Sequence, residues 1–214
     1  MKVHQIHQCR AFTLLEGVVV AAVLAGLVAL LIPALKTAKN EAKSITCNGQ
    51  LKEVGLAFRI WEDDHPGQYP MTVSATNGGA MELWATGNVA ACFQVMSNEL
   101  SLPVMLICPA DAGHPAAPAW DHLGRSNVSY FIGTDAAETN MEAMLAGDAN
   151  LLQNGRAVSS GLVCIGTNTI RWTQERHRGS ANVLICDGSV NFTSQIGVKN
   201  SDQWVFSTNS VVVP

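Results

Sequence analysis

The chain has 214 residues, of which 48% are hydrophobic and 14% are charged. Soluble domains carry about 25% charged residues, so this chain is poor in charge, and its apolar content argues against intrinsic disorder. The formal net charge of −4 removes the basic surface that a nucleic-acid-binding protein needs, and no local run of Lys and Arg supplies one. The length favours one globular unit with an appendage.

The first predicted element is an apolar helix near the N terminus. Residues 14–35 are apolar except for Glu16, and residues 17–35 would span roughly the 30 Å of bilayer hydrocarbon as a helix. Lys2 and Arg10 precede this stretch and no acid does. The positive-inside rule therefore predicts a single membrane pass with a cytoplasmic N terminus and the rest of the chain on the other side.

A cleaved signal peptide and a plain N-terminal anchor are the alternatives for this helix. The apolar run is longer than the usual h-region of 7–15 residues. Its far end, PALKTAKNEAK, has no A-x-A site followed by a loop. A plain anchor leaves Glu16 unexplained, because an acid at a membrane segment is costly unless it has a partner.

Residues 10–16, Arg-Ala-Phe-Thr-Leu-Leu-Glu, resemble the processing motif of type IV prepilins and pseudopilins. The resemblance implies that a prepilin peptidase cuts between Ala11 and Phe12 and methylates the new Phe12 amine. The family usually has Gly where this chain has Ala11. Glu16 would pair with the Phe12 amine of a neighbouring subunit and set the axial register, unless it lies at the membrane interface without a role. Pro33 lies where many members have a helix-kinking proline.

The helical pattern continues beyond the apolar stretch. Between residues 36 and 62, apolar residues recur at spacings of 4, 3, 4 and 3: Cys47, Leu51, Val54, Phe58 and Trp61. This predicts one continuous helix of about 50 residues that ends at His65-Pro66-Gly67. Its first half would lie in a membrane or filament core and its second half would pack on a globular head.

Further motifs resemble a large pilin-like group from planctomycetes and related bacteria. Residues 45–57 are similar to its Cys-x-x-x-Leu-Lys-x-x-Gly-Leu-Ala segment, and residues 108–111 to its Cys-Pro-x-Asp turn. His177, followed by nine residues and then Asp187-Gly188, matches its C-terminal signature. The resemblance implies an α+β fold of type IV pilin-like architecture, with the long helix packed on a small antiparallel sheet. The predicted regions are a leader (1–11), a membrane or filament-core half-helix (12–35), an amphipathic half-helix (36–64) and a head (65–214).

The head pattern predicts mixed α and β structure. Short helices are expected at 81–84 and 92–100, and residues 139–148 fit either a helix or a strand. Asp187-Gly188 suits a tight hairpin turn. The predicted strands, which we expect to form one antiparallel sheet, are 128–132, 161–167, 181–186, 189–193 and a late run at 204–213.

These features favour a structural role over an enzymatic one. His177 and Asp187 invite an acid/base pair, but no nucleophile with a supporting third group can be named, and the common catalytic motifs are missing from the sequence. The resemblance implies a pseudopilin of a type II secretion-like filament, with its head in the periplasm and its anchor in the inner membrane. The alternatives are a type IV pilin-like surface filament subunit and a membrane-tethered ligand-binding or enzymatic domain. The implied partners are a prepilin peptidase, copies of itself or other pilin-like subunits, and an inner-membrane assembly platform, with no nucleic acid.

No metal is expected from the sequence. Zinc ligation by Cys108 with His114, or by Cys186 with His177, lacks a C-x-x-C spacing. Calcium is the alternative, by analogy with related major pseudopilins, although its candidate ligands have no recognisable spacing: Asp187, Asn191, Asn200 and Asp202.

The cysteines beyond the leader are expected to face an oxidising space. Five remain after Cys9 is removed, so at most two disulfides can form within one subunit. We expect Cys164 to pair with Cys186, because both fall in predicted strands of one sheet. Cys92 with Cys108 is the second choice, because these two are close in sequence.

Overall fold

The structure is a computed structural model that describes residues 13–166, 168–196 and 210–214. Its residues group into two compact units, the first ending at Lys39 and the second running from Asn40 to Pro214. The predicted α+β class is confirmed, because the chain combines one long apolar N-terminal helix with antiparallel sheets.

The long helix, α1, runs from Leu14 to Asp64. It begins with a capping box, in which the Glu16 N–H donates to Thr13 Oγ1 at 3.3 Å and the Thr13 N–H donates to Glu16 Oε2 at 2.9 Å. It continues through Pro33 without a break. The single continuous helix of the sequence prediction is therefore confirmed, whereas the kink at Pro33 stays a prediction.

The part of α1 in the first unit is apolar and exposed. Every side chain from residue 18 to residue 39 is exposed, and Leu24 and Leu27 keep more than half of their surface free. Among the described residues, α1 is the one helix that is long and apolar enough to cross a membrane. This helix is compatible with a membrane anchor.

The part of α1 in the second unit packs into a core. The five apolar residues that the sequence placed at helical spacing, from Cys47 to Trp61, are all buried. Gly55 lies among them, and a Cβ atom added there would come within 2.9 Å of the Leu184 side chain. The missing side chain at Gly55 lets the helix approach the sheet closely.

Short helices and 3₁₀ turns connect α1 to the sheets. Helix α2 spans Met81–Trp84, as predicted, and α3 spans Val89–Val95, several residues earlier than predicted. The 3₁₀ turns are Ala75–Asn77, Pro103–Leu106, Trp120–His122, Arg125–Asn127 and His177–Gly179.

The strands of the described residues form two antiparallel sheets. The first has the order β5-β10-β1-β2-β7-β8 and the second has the order β4-β3-β6-β9. Their bounds are β1 Tyr130–Gly133, β2 Met144–Asp148, β3 Leu151–Gln153, β4 Arg156–Ala157, β5 Gly161–Cys164, β6 Ile170–Trp172, β7 Ala181–Ile185, β8 Val190–Thr193, β9 Gln195–Ile196 and β10 Ser210–Val213.

The six-stranded sheet separates two apolar cores. Leu184 on β7 belongs to the core that contains α1 and α3, whereas Val183 and Ile185 belong to the core shared with the four-stranded sheet. Strands β2 and β7 are buried along their whole length, because both faces of the sheet are covered.

The predicted strands fall at β1, β5, β7, β8 and β10, which all belong to the six-stranded antiparallel sheet, so the expectation that they form one sheet is confirmed, whereas the four-stranded sheet was not predicted. The second sheet consists of β3, β4, β6 and β9, none longer than three residues, and such short strands are too brief for an alternating pattern to show. The ambiguous segment 139–148 contains β2, a strand. Residues 204–209 of the predicted late strand lie outside the described residues, and its remainder is β10.

Candidate functional site

Four buried side chains from separate elements converge on one point within the second unit. Cys47 lies on the buried face of α1, and Cys108 follows the 3₁₀ turn Pro103–Leu106. Asp148 is the last residue of β2, and His177 is the first residue of the 3₁₀ turn His177–Gly179. One ligand atom from each residue, two sulfurs, one carboxylate oxygen and one imidazole nitrogen, lies within 4.8 Å of all the others.

The distances inside this four-residue cluster are short. Cys108 Sγ lies 3.1 Å from His177 Nε2, and the same nitrogen lies 3.5 Å from Asp148 Oδ2. Cys47 Sγ lies 3.6 Å from Asp148 Oδ1. The side chains of Asp148 and His177 are fully buried. The two sulfurs, the carboxylate and the imidazole nitrogen therefore face one another in a space closed to solvent.

Neighbouring groups orient the cluster. Tyr130 lies opposite Asp148 in the β1–β2 pairing, and its hydroxyl is 3.4 Å from Cys47 Sγ and donates to Gln50 Oε1 at 3.0 Å. The Asn182 N–H donates to Asp148 Oδ2 at 2.9 Å. These contacts hold the carboxylate and one thiol in place from two strands.

The cluster perturbs the pKa values of its members. A hydrogen bond from the Cys47 thiol, with further help from His177, lowers the pKa of Cys108 to about 4, while the pKa of Cys47 rises. Burial raises the pKa of Asp148 to about 7. Burial opposes protonation of His177, but its hydrogen bond to Cys108 and the charge of Asp148 raise its pKa.

A buried ion pair lies beside the cluster. The Arg176 guanidinium pairs with the Asp111 carboxylate and donates to the Ser129 carbonyl at 2.9 Å. Both side chains are less than one-tenth exposed. Burial raises the pKa of Asp111, but hydrogen bonds and the Arg176 charge outweigh it and hold that pKa below its usual value. His114 contacts Asp111 and is not part of the four-residue cluster, so the pairing of Cys108 with His114 that the sequence analysis set aside does not form.

The cluster lacks the geometry of a nucleophilic relay. A relay needs the nucleophile on one imidazole nitrogen and the orienting acid on the other. Here Cys108 and Asp148 both approach Nε2, and Nδ1 is buried without a hydrogen-bond partner among the described residues. An unsatisfied buried nitrogen costs about 1–3 kcal/mol. The arrangement suits the gathering of ligands around one centre better than the passing of a proton along a chain.

The two ends of the His-x9-Asp-Gly signature have different environments. His177 is in the cluster, whereas the exposed Asp187 accepts a hydrogen bond from the Ser189 N–H at 2.7 Å. Gly188 has a φ of 86° in the β7–β8 turn, and Arg59 of α1 donates to the Asp187 carbonyl at 2.6 Å. His177 and Asp187 therefore do not form the acid/base pair that their spacing invited. His177, which precedes β7, contacts Cys108, and Asp187, which follows β7, contacts Arg59 of α1.

The processing residues fall at the edge of the described chain. Ala11 and Phe12 lie outside the described residues, so cleavage between them stays a prediction. Glu16 caps α1 through Thr13, as described above, a local role that the sequence interpretation missed although Thr-x-x-Glu is a recognised capping pattern. Its pairing with a neighbouring subunit also stays a prediction.

The expected disulfide is wrong. Cys164 and Cys186 are both free thiols, and β10, β1 and β2 lie between β5, which contains Cys164, and β7, which Cys186 follows. Neighbouring strands are about 4.8 Å apart, so four strand spacings separate the two positions by far more than a disulfide can bridge. Cys92 and Cys108 are also free thiols.

The candidate calcium ligands do not gather among the described residues. Asn200 and Asp202 lie outside the described residues, and calcium binding through them stays a prediction. Asp187 and Asn191 both contact Ser189. Cys186 is outside the four-residue cluster, so the pairing of Cys186 with His177 that the sequence analysis set aside does not form.

No protein-family model, no curated protein and no solved structure matches this chain. The resemblance of residues 10–16 to type IV prepilins, and of residues 45–57, 108–111 and 177–188 to the pilin-like group, therefore stays a prediction from the sequence.

Proposed function

We propose that this chain is a pseudopilin-like structural subunit, processed by a prepilin peptidase and assembled into the periplasmic filament of a type II secretion-like system. The observation that carries the proposal is the division of α1. Its side chains are all exposed from residue 18 to residue 39, and the same helix supplies a buried face to the core between Cys47 and Trp61. A subunit that moves from a bilayer into a filament needs an exposed apolar stretch that contacts lipid or other subunits. It also needs a part of the same helix that packs on its own globular unit.

The small residues of the apolar stretch support helix–helix packing. They line the first part of α1, where a neighbouring subunit's helix can approach closely once lipid contacts are replaced. Gly26 has open space where a side chain would be. The residues concerned are Gly17, Ala21, Ala22, Ala25, Gly26 and Ala29.

Glu16 would fix the axial register between neighbouring subunits in this proposed assembly. It is the one charged residue in the stretch 14–35. A carboxylate there pairs with the freed amine of Phe12 on a neighbouring subunit and fixes the axial register. The capping box gives Glu16 a second role within its own helix, so a test of the register role must leave the cap intact.

Glu16→Gln separates the two roles. Glutamine at the same position keeps the capping box but carries no charge. We expect Glu16→Gln to be cleaved normally and to form several-fold less filament than the unsubstituted chain in the sheared or pelleted fraction of host cells. Glu16→Ala should lose filament to a similar extent.

Glu41→Gln is the matched control, because it removes an exposed carboxylate from α1 outside the apolar stretch. It should assemble normally. Normal assembly of Glu16→Gln together with loss in Glu16→Ala would reduce Glu16 to a helix cap and remove the register role.

A further inference from the structure

We propose that Cys47, Cys108, Asp148 and His177 form a closed structural site for one zinc ion. The inference does not depend on filament assembly, because all four residues belong to the second unit. No sequence motif pointed to it, and each residue comes from a different element.

The distances fit tetrahedral coordination. Zn–S bonds of about 2.3 Å and Zn–N or Zn–O bonds of about 2.0–2.1 Å at tetrahedral angles place neighbouring ligand atoms about 3.3–3.8 Å apart. With Asp148 Oδ2 as the carboxylate ligand, the separations here are 3.1 Å from Cys108 Sγ to His177 Nε2, 3.5 Å from His177 Nε2 to Asp148 Oδ2, and 3.8 Å from Cys47 Sγ to Asp148 Oδ2. All the ligand atoms lie within 4.8 Å of one another, so an ion at the centre requires only local side-chain movements.

The donor set selects the class of metal. Two sulfurs exclude calcium and magnesium, which take oxygen ligands, whereas thiolate, imidazole and carboxylate together suit zinc. Four protein ligands leave no position open for water or substrate, and this is the coordination of a structural rather than a catalytic zinc site.

The surroundings resemble the outer shell of a metal site. The Asn182 N–H orients the Asp148 carboxylate, and the Tyr130 hydroxyl lies next to Cys47 Sγ. Two thiolates, one carboxylate and a divalent ion leave a net charge of −1, which lies in the field of the buried Arg176 guanidinium. Outer contacts of this kind fix ligand orientation and tune the metal.

The backbone at His177 is strained in a way that the site explains. His177 has a φ of 44° and Arg178 a φ of 57°, values in the left-handed region that favours glycine. Such a backbone conformation is unfavourable for residues other than glycine and persists where the surrounding structure demands it. This conformation brings Nε2 to the cluster, and a bond between Nε2 and a metal would offset its cost.

The consequence of zinc binding is a four-way link within the second unit. The ion would join α1, the turn after residues 103–106, the end of β2 and the turn before β7. A ligand that binds only the folded state stabilises it by mass action, so metal removal lowers the unfolding temperature. The link would fasten the helix to the sheet independently of the apolar core.

The competing arrangement is a disulfide between Cys47 and Cys108. Both sulfurs are in the cluster, and such a bond would use up the two thiolates that zinc needs. Zinc loading and disulfide formation are therefore mutually exclusive at this site, and a single sample distinguishes them.

The primary experiment uses the full chain extracted from host membranes in detergent without reductant. One aliquot is analysed for metal content, and a second is denatured in the presence of an alkylating agent and mapped by peptide mass spectrometry. We expect one zinc ion per chain, with Cys47 and Cys108 both alkylated. Absence of zinc, or a peptide in which Cys47 and Cys108 are joined, would overturn the proposal.

A second measurement identifies the ligands. After a chelator removes zinc, Co²⁺ added to the unsubstituted chain should give the visible bands of a tetrahedral ion and a thiolate charge-transfer band. Cys108→Ser should lose a large part of the charge-transfer intensity, because it removes one of the two thiolate ligands. Cys92→Ser is the matched control, because Cys92 is an equally buried free thiol of the same core outside the cluster, and it should keep the full spectrum.

Two outcomes of the cobalt experiment contradict the assignment. One is a spectrum without charge-transfer intensity in the unsubstituted chain. The other is an equal loss in Cys92→Ser and Cys108→Ser, which would mean that the metal binds wherever thiols become exposed. Because the zinc content of the unsubstituted chain is measured first, failure of a variant to fold does not decide the matter.

Discussion

At the scale of single residues, Gly55 determines how closely α1 approaches the sheet. A side chain there meets Leu184, which is fully buried on β7, so the neighbouring core would have to shift. We expect Gly55→Val to destabilise the folded chain by about 1–3 kcal/mol, the usual cost of overpacking. Thermal unfolding followed by tryptophan fluorescence measures this change.

Gly49→Val provides the comparison for Gly55→Val. Gly49 is an exposed residue of the same helix, with nothing within 4 Å of an added Cβ. Valine has a better helix propensity than glycine, so Gly49→Val should leave the unfolding temperature unchanged or slightly raised. Equal effects of the two substitutions would show that Gly55 does not set the helix–sheet distance.

The buried pair of Asp111 and Arg176 gives a second prediction at this scale. Asp111→Asn leaves the Arg176 charge buried without its partner, and breaking such a pair costs about 3–5 kcal/mol. Asp121→Asn removes a carboxylate that is mostly exposed beside His122 and should change stability by less than about 0.5 kcal/mol. Chemical denaturation of the two variants measures the difference, and similar midpoints would contradict the structural role of the pair.

The ligand residues themselves were beyond prediction from the sequence. Cys47, Cys108, Asp148 and His177 are far apart in the chain and have no metal-motif spacing, because the site depends on how a helix, two turns and a strand pack together. Two of the four fell within segments that the family resemblance had marked, at residues 45–57 and 108–111, and His177 opens the C-terminal signature. The family resemblance therefore marked three of the four residues, but it did not indicate that they bind a metal.

At the scale of elements, α1 was the most predictable part of the molecule. Its start, its buried stripe and its end all follow from local sequence, since Thr13 caps it and apolar residues recur at helical spacing. Strand β2 was ambiguous, because a strand buried on both faces loses its alternating pattern. The four-stranded sheet was missed because its pairings join short segments across long stretches of chain, as between β6 and β9.

The apolar stretch of α1 carries the prediction for this scale. Leu24 lies in the middle of the stretch and is exposed. Arginine at the centre of a membrane helix costs about 2.5–3.5 kcal/mol on insertion scales. We therefore expect Leu24→Arg to reduce several-fold the fraction of chain that resists alkaline extraction from membranes.

Ile45→Arg is the control for the membrane prediction. Ile45 is another exposed aliphatic residue of α1, but it lies beyond residues 14–35. It should remain in the membrane to the same extent as the unsubstituted chain. Alkaline release of the unsubstituted chain, or equal retention of both variants, would contradict a membrane role for the apolar stretch.

At the scale of the whole molecule, two features define the account. One is a helix with an exposed apolar stretch and a second half that buries one face, and the other is a unit with two sheets that contains a buried cluster of two thiols, a carboxylate and an imidazole. The head has few charges, and the chain carries a net charge of −4. Such a surface is compatible with close packing beside copies of the same subunit.

The central claim is that the chain is a processed pilin-like subunit, and its intact mass tests this most directly. The measurement uses the chain extracted from the membranes of its host, denatured and free of metal. We predict a mass that has lost residues 1–11 and gained one methyl group on the amine of Phe12. A mass that retains residues 1–11, or that corresponds to cleavage beyond residue 35 by a signal peptidase, would contradict the claim.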